Sequence, residues 1–277
     1  MASAARIPRV LSIAGSDSGG GAGIQADLKA FARCGVYGMT AITAITAQNT
    51  VRVAAVEAVS PAMIVAQVRA VVEDIGVDAV KIGMLGTVPT IEAVDEALDV
   101  LEPGTPVVLD PVMVAESGAE LLEPQARDAL VDRLLPRATV VTPNVAEAAK
   151  LAGAPGDVAT ADADVEALAR AVHALGPGVV VITGGHRDAA TDVFFDGATP
   201  TPIPGERFPP GAAHGSGCTH SSALAAHLAL GHESLDAARR AKEIAAAAVR
   251  DGLRGLGEGV GPVDALASAA GRRGPVA

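Results

Sequence analysis

The sequence predicts an α/β protein with a central, mostly parallel sheet between layers of helices. Three observations predict it. Short, continuous apolar runs recur along the 277 residues; each ends in glycine or a polar residue; and between them apolar residues return at helical spacing. Continuous runs of this length read as strands buried on both faces. Strand–helix alternation then implies parallel strands joined by right-handed crossovers.

The elements follow in order. "VLSIAGSD" (10–17) is the first strand, and the glycine-dense "GSDSGGGAGIQADLKAF" (15–31) leads from it into a helix. "GMTAITAITAQNT" (38–50) does not fit a simple strand–helix–strand unit and is expected as an edge or antiparallel addition. "AVKIGM" (79–84) is a strand. In the following "TIEAVDEALDVL", Ile91, Val94, Leu98 and Leu101 share one helical face. "PVVLDP" (106–111), "TVVTPN" (139–144) and "VVVITGGH" (179–186) are further strands. Before the last of these, "DVEALARAVHAL" lines up Val165, Leu168, Val172 and Leu175 on one helical face. "TDVFFDG" (191–197) is a second candidate edge or antiparallel strand, and "TPTPIPGERFPPGAA" (199–213) is a loop. "HGSGCTHSS" (214–222) precedes the apolar run Ala223–Leu230. No linker divides the chain, so 1–277 reads as a single domain with mobile ends expected at 1–8 and 256–277.

Composition narrows the function. Hydrophobic residues make up 49% of the chain, enough for a large core; with no Trp and one Tyr, that core must be aliphatic. The net charge of -11 argues against a nucleic-acid backbone or an anionic membrane surface as partner. No apolar run reaches the roughly 18 residues of a membrane span, and "MASAARIPRV" lacks the apolar stretch of a signal peptide. Cys34 and Cys218 lie far apart with no C-x-x-C, which points to a reduced, cytoplasmic protein.

In open parallel sheets, ligands bind beyond the carboxyl ends of the strands. That rule collects Gly15-Ser16-Asp17, Met84, Asp110, Asn144 and Thr183-Gly184-Gly185. The loop at 15–31 is neither a Walker A loop, since no G-K-[ST] closes it, nor a G-x-G-x-x-G fingerprint. It reads as close backbone approach to a ligand or as a flexible turn. In "HGSGCTHSS", Gly215, Ser216 and Gly217 can present successive N–H groups to an anion, reinforced by the positive end of the following helix. A thiol at that place is expected to have a lowered pKa and to accept a proton, whereas a small buried cysteine is the commoner fate of the residue. His214, Cys218 and His220 lack a fourth partner for zinc, and no G-x-S-x-G elbow exists for a serine hydrolase. In "TPNVAEA" (142–148), Asn144 and Glu147 read either as a capping box or as groups near a hydrated Mg²⁺ and phosphates. Asp110, at the end of an apolar strand, suits a metal or its waters.

Taken together and in this order, "AGSDSGGGAGIQADLK", "TAITAQNT", "KIGML", "DPVMVAESG", "TPNVAEA", "TGGH" and "HGSGCT" carry a resemblance. From about Val10 to Gly255 the chain resembles the hydroxymethylpyrimidine/phosphomethylpyrimidine kinases of thiamine biosynthesis, in the ribokinase-like superfamily. The resemblance implies a three-layer α/β/α sandwich, ATP as co-substrate, Mg²⁺ and a homodimer. It implies that Cys218 stands where most ribokinase-like enzymes keep an aspartate base, with Gly215, Ser216 and Gly217 as the anion hole. Gln48 matches the pyrimidine-reading glutamine, and Gly15, Asp27 and Met84 match other substrate-pocket positions. Asn144 and Glu147 match the N-x-x-E motif near Mg²⁺ and phosphate. Thr183 and His214 fall on the ATP side, and Asp110 and Glu147 on the metal, directly or through water. Two departures bear on the nucleotide: Thr183 stands where relatives often carry Lys, and Ala212-Ala213 stand where they often carry Asn-Thr. The implied activity is ATP-dependent phosphorylation of 4-amino-5-hydroxymethyl-2-methylpyrimidine and then of its monophosphate. The rivals are a pyridoxal or pyridoxine kinase on the same fold and a non-catalytic pyrimidine-binding protein.

Overall fold

A computed structural model describes residues 6–154, 162–185 and 190–266. It contains nine strands: β1 (Arg9–Asp17), β2 (Tyr37–Gln48), β3 (Val53–Ala58), β4 (Ala79–Ile82), β5 (Val107–Leu109), β6 (Val140–Val141), β7 (Val179–Ile182), β8 (Asp192–Phe195) and β9 (Thr201–Ile203). The α-helices are α1 (Gly23–Arg33), α2 (Pro61–Asp74), α3 (Val88–Leu98), α4 (Pro124–Ala129), α5 (Val145–Leu151), α6 (Asp162–His173), α7 (Ser216–Ala229) and α8 (Ser234–Arg250). The strands form one sheet in the order β3-β2-β1-β4-β5-β6-β7-β8-β9. From β2 through β7 neighbours are parallel; β3, β8 and β9 add antiparallel pairings at the two edges.

The strand runs divide their side chains between two cores by the two-residue period of a pleat. Leu11, Ile13, Val80, Ile82, Val107, Leu109, Val141, Val180 and Ile182 face one core, which α3 and α6 cover with Ile91, Val94, Leu98, Val165, Leu168 and Val172. Val10, Ala79, Val108, Val140, Val179 and Val181 face the other, covered by α1, α7 and α8. Each fully buried aliphatic side chain contributes roughly 1.5–3 kcal/mol, so both faces of the central strands must be covered. Alanines dominate where α7 and α8 meet this core (Ala223, Ala225, Ala226, Ala237, Ala238 and Ala241), which lets helices approach closely without aromatic residues.

The two expected additions take different places. The stretch 38–50 is β2, which pairs parallel with β1 and lies one strand in from the edge; the edge strand is β3, antiparallel to it. The physical reason is α1, which carries the chain back over the sheet so that β1-α1-β2 forms a crossover unit. The stretch 191–197 is antiparallel, pairing with β7, but β9 covers its outer side. Of the ends expected to be mobile, 1–5 and 267–277 lie outside the described residues. Residues 256–266 return to the body: Gly259 N–H donates to Thr50 Oγ1 at 3.2 Å, and Val263 N–H to the His214 carbonyl at 3.0 Å.

In strand order the chain runs outward one way from β1 to β2 and the other way from β4 onward. The crevice beyond the carboxyl ends of β1 and β4 is therefore the topological switch point, where open α/β sheets bind ligands.

Candidate active site

Gly15, at the end of β1, and Met84, just past β4, meet at that switch point, with the Met84 sulfur lying over Gly15. Gln48 closes β2. Its Oε1 lies 3.2 Å from Thr46 Oγ1, and its Nε2 has no partner among the described residues. Ser18 holds the backbone there, accepting from Gln48 N–H at 2.8 Å and donating to the Gln48 carbonyl at 2.7 Å. Gly15 and Met84 thus meet, and Gln48 lies further along the same strand ends, against Ser18 and Gly19.

The glycine loop is ordered by Asp17. Its carboxylate accepts the N–H groups of Gly19, Gly21 and Ala22 at 2.7, 3.0 and 2.9 Å. His214 Nε2 lies 3.0 Å from the same carboxylate. Burial works against the Asp17 charge, but His214 and the N–H groups of Ala22 and Gly19 outweigh it and hold its pKa below the usual value. The His214 imidazole thereby clasps the glycine loop through Asp17. Asp17 draws it inward because the carboxylate is buried and needs a partner.

The loops interlock through glycine. Gly215 sits at φ 82°, and a Cβ there would collide with the Gly21 carbonyl. Gly23, at φ 56°, likewise faces the Gly15 carbonyl. Only residues without a Cβ allow this backbone approach.

Gly215 is the N-cap of α7, and no side chain caps the helix. Ser216 N–H donates to Ala213 O at 3.0 Å, and Thr219 N–H closes the first turn on Gly215 O at 2.9 Å. Among the described residues no backbone acceptor takes the N–H of Gly217 or Cys218. Of the expected donors, Ser216 is engaged in the turn, while the N–H groups of Gly215 and Gly217, and with them that of Cys218, have no backbone acceptor among the described residues.

Cys218 is half-buried. The expected low thiol pKa is corrected: burial pushes it up to about 12. Lys81 and the Gly23 N–H lower it, while Asp27 and Asp110 raise it. Without ligand, desolvation and two carboxylates outweigh the helix end.

Asp27, assigned by resemblance to the substrate pocket, is sealed inside. It is fully buried, bonded to Lys81 Nζ at 2.9 and 3.1 Å, to Ser12 Oγ at 2.6 Å and to Ser222 Oγ at 2.7 Å. Both oxygens face the interior, so it supports the site from beneath.

Asn144 and Glu147 form a complete capping box on α5. Asn144 Oδ1 accepts from Glu147 N–H, and Glu147 Oε2 accepts from Asn144 N–H, each at 2.9 Å. Burial, then the charge of Asp110, raises the Glu147 pKa to about 7. Asp110 itself is raised by burial, against the pull of Lys81 and a 2.9 Å bond from Ser221 Oγ. One buried and one half-buried carboxylate that repel each other are a donor set that fits a hydrated divalent cation. Among the described residues no three His, Cys, Asp or Glu side chains could hold a metal by themselves. His214 and His220 indeed diverge from Cys218, one toward Asp17 and the other toward Asp192, 3.5 Å away.

Thr183 pairs with Asn144 through a parallel bridge, its N–H on Pro143 O at 2.9 Å. Gly184 N–H donates to Asp192, which also holds Lys242. Gly185 follows, and His186 lies outside the described residues. The sequence reading missed the Asp17–His214 and Lys81–Asp27 pairs. The available signal was a lysine inside an apolar strand run and an aspartate in a glycine loop.

A switch-point crevice closed by an uncapped helix, with a thiol in its first turn and carboxylates opposite, defines an ATP-dependent small-molecule kinase of ribokinase-like fold. Pyridoxal kinase from Staphylococcus aureus, solved with ADP, superimposes with a TM-score of 0.87 at 36% identity over 96% of each chain. The chain belongs to the phosphomethylpyrimidine kinase family, whose profile matches residues 17–264. It is 50% identical over 256 residues to a hydroxymethylpyrimidine/phosphomethylpyrimidine kinase of Rhizobium meliloti, covering 91% of this chain and 95% of that one. A pyridoxine kinase of Bacillus subtilis is 44% identical over 259 residues, covering 92% and 94%.

Proposed function

We propose that this kinase phosphorylates the hydroxymethyl group of 4-amino-5-hydroxymethyl-2-methylpyrimidine with ATP, and then converts the monophosphate to the diphosphate, for thiamine biosynthesis. The observation that carries the reading is the meeting of Gly15 and Met84 at the switch point, with Gln48 at the end of the neighbouring strand and the open first turn of α7. A glutamine amide offers a donor and an acceptor together, which matches the ring nitrogen and amino group of an aminopyrimidine edge. The thioether of Met84 supplies an apolar face for the ring.

In the first step the substrate hydroxyl must lose its proton as its oxygen attacks phosphorus. Cys218, at the mouth of α7, is placed to take that proton. The N–H groups of Gly217 and Cys218 and the helix end hold charge on the transferred phosphoryl group. Asn144, Glu147 and Thr183 face the nucleotide phosphates in this reading. Asp110 and Glu147 would hold Mg²⁺ through its waters, and the ion would neutralise carboxylate and phosphate charge there. His214 and Asp27 serve by holding the two loops and the base in place.

A homodimer belongs to the same reading. The outermost strand β3 is exposed along almost its whole length, and Val56 and Ile45 on this hairpin lie 49% and 55% exposed. An unpaired apolar edge of this kind suits a second copy. A cytoplasmic setting is in keeping with two free cysteines.

The test is ATP consumption with the hydroxymethylpyrimidine, its monophosphate and pyridoxal, each supplied separately. Turnover of both pyrimidines well above that of pyridoxal is expected. Preference for pyridoxal would replace the reading with the rival that the Staphylococcus and Bacillus relatives represent, and no turnover of any alcohol would leave only binding.

A further inference from the structure

Beneath the mouth of α7 lies a buried ion pair to which the reaction as described assigns no chemical role. The two-residue period of β4 puts Lys81 on the same face as Ala79, toward α1 and α7. Lys81 and Asp27 are both fully buried, 2.9 Å apart. Such a pair is a poor source of stability, because desolvation offsets its attraction. Its place is informative instead. Gly23 and Asp27 stand one turn apart on α1, and Cys218 and Ser222 stand one turn apart on α7. The Gly23 N–H is directed at Cys218, and Ser222 Oγ donates to Asp27. The ammonium is thus held about one helical turn below the sulfur. Ser221, on the same turn of α7, is bonded to Asp110. The charged groups bearing on the sulfur are therefore Lys81 from β4, Asp27 from α1 and Asp110 beyond β5.

We infer that Lys81 is a positioning residue of the reaction: its ammonium, clamped by Asp27 below the first turn of α7, is the protein cation that stabilises Cys218 as the thiolate. The inference rests on reading Cys218 as the base. Burial disfavours the Lys81 charge, but Asp27, Cys218 and Asp110 outweigh it and keep lysine protonated beyond its ordinary range. Asp27 both anchors this cation and opposes the thiolate, so the two members of one pair act on Cys218 with opposite sign.

That opposition is the test. In a Cys34→Ser background, the rate at which iodoacetamide alkylates Cys218 is followed against pH in the unliganded protein. Lys81→Met is expected to move the profile upward by about one pH unit, slowing alkylation about tenfold at a fixed pH. Asp27→Asn is expected to move it downward. Both variants lower the melting temperature, so a merely structural role predicts shifts of the same sign or none, and either result overturns the inference. If Lys81→Met does not fold, Asp27→Asn decides alone, an upward or absent shift being fatal. The pH profile of alcohol phosphorylation must also follow the thiol profile; a thiol that moves while the rate profile stays is equally fatal. A wrong substrate assignment would show in the unmodified protein, whereas the alkylation arm needs no substrate.

Discussion

Two helices point their N-termini at the same crevice, and they are finished in opposite ways. The start of α5 is closed by side chains: Asn144 and Glu147 satisfy each other's backbone N–H groups. The start of α7 has no side-chain cap, begins at a left-handed glycine and leaves the N–H groups of Gly217 and Cys218 without a backbone acceptor. At the closed terminus the Asn144 and Glu147 oxygens are turned onto the helix's own N–H groups, so fewer donors are left for an anion. An open one presents donors and positive potential and suits a phosphoryl group. The difference is one of free donors: α7 keeps its N–H groups open, and α5 uses two of its own in its cap.

Four substitutions sharpen or break that contrast, and the largest effect belongs to Cys218→Ala. It should lower alcohol phosphorylation by about 10²–10⁴, the usual scale for a general base. The monophosphate step should fall much less, because that acceptor is already anionic near pH 7. Each activity is measured from its own substrate on one preparation; equal losses would mean that Cys218 shapes the loop and moves no proton.

Gly215→Ala comes next. It meets the Gly21 carbonyl and a left-handed backbone, and should lose about 1–3 kcal/mol of stability by denaturant unfolding. Both phosphorylation steps should fall together, since the mouth itself is displaced. An unchanged unfolding midpoint would show that the two glycine loops do not interlock in solution.

Asn144→Ala should cost about 1 kcal/mol, a typical N-cap loss. It should leave Cys218 alkylation unaltered, because the two mouths are built separately. A change in thiol reactivity would show that they are coupled.

Glu147→Gln has the smallest effect and the clearest sign. Glutamine can serve at the same capping-box position, so the change mainly removes a half-buried charge. The folded pKa of Glu147, about 7, lies above its ordinary 4.5. Its protonated form is therefore favoured by the fold, and that contribution is complete below about 4.5 and lost as pH rises toward 7. The variant should match the parent near pH 4.5 and become relatively more stable by pH 8 in thermal melts without metal. Its Mg²⁺ requirement for activity should rise. A stability difference that ignores pH would assign Glu147 to the cap alone.

Much of this was legible in the sequence, because parallel sheets bury both strand faces and write continuous apolar runs. The runs at 10–17, 79–84, 106–111, 139–144 and 179–186 mark where β1, β4, β5, β6 and β7 lie, and the helical faces of α3 and α6 could be named side chain by side chain. Glycine-rich turns at the strand ends likewise mark where backbones approach each other closely, and Asn144 with Glu147 three residues later is a local pattern whose bonds form within one turn. The partners of buried polar groups were not legible, since nothing local relates Asp17 to His214 or Asp27 to Lys81 across 197 and 54 residues. Nor was the charge state of Cys218. The positive end of its helix is a local feature, but its desolvation and the nearby Asp27, Lys81 and Asp110 exist only once four separate segments have packed together. Sequence alone determined the five central strands, the faces of α3 and α6 and the residues gathered at the strand ends, but not the edge strand β3 or β9, which lies in the stretch read as a loop. Tertiary structure decided which of those residues hold one another and which keep open donors, because burial and long-range charge are properties of the assembled interior.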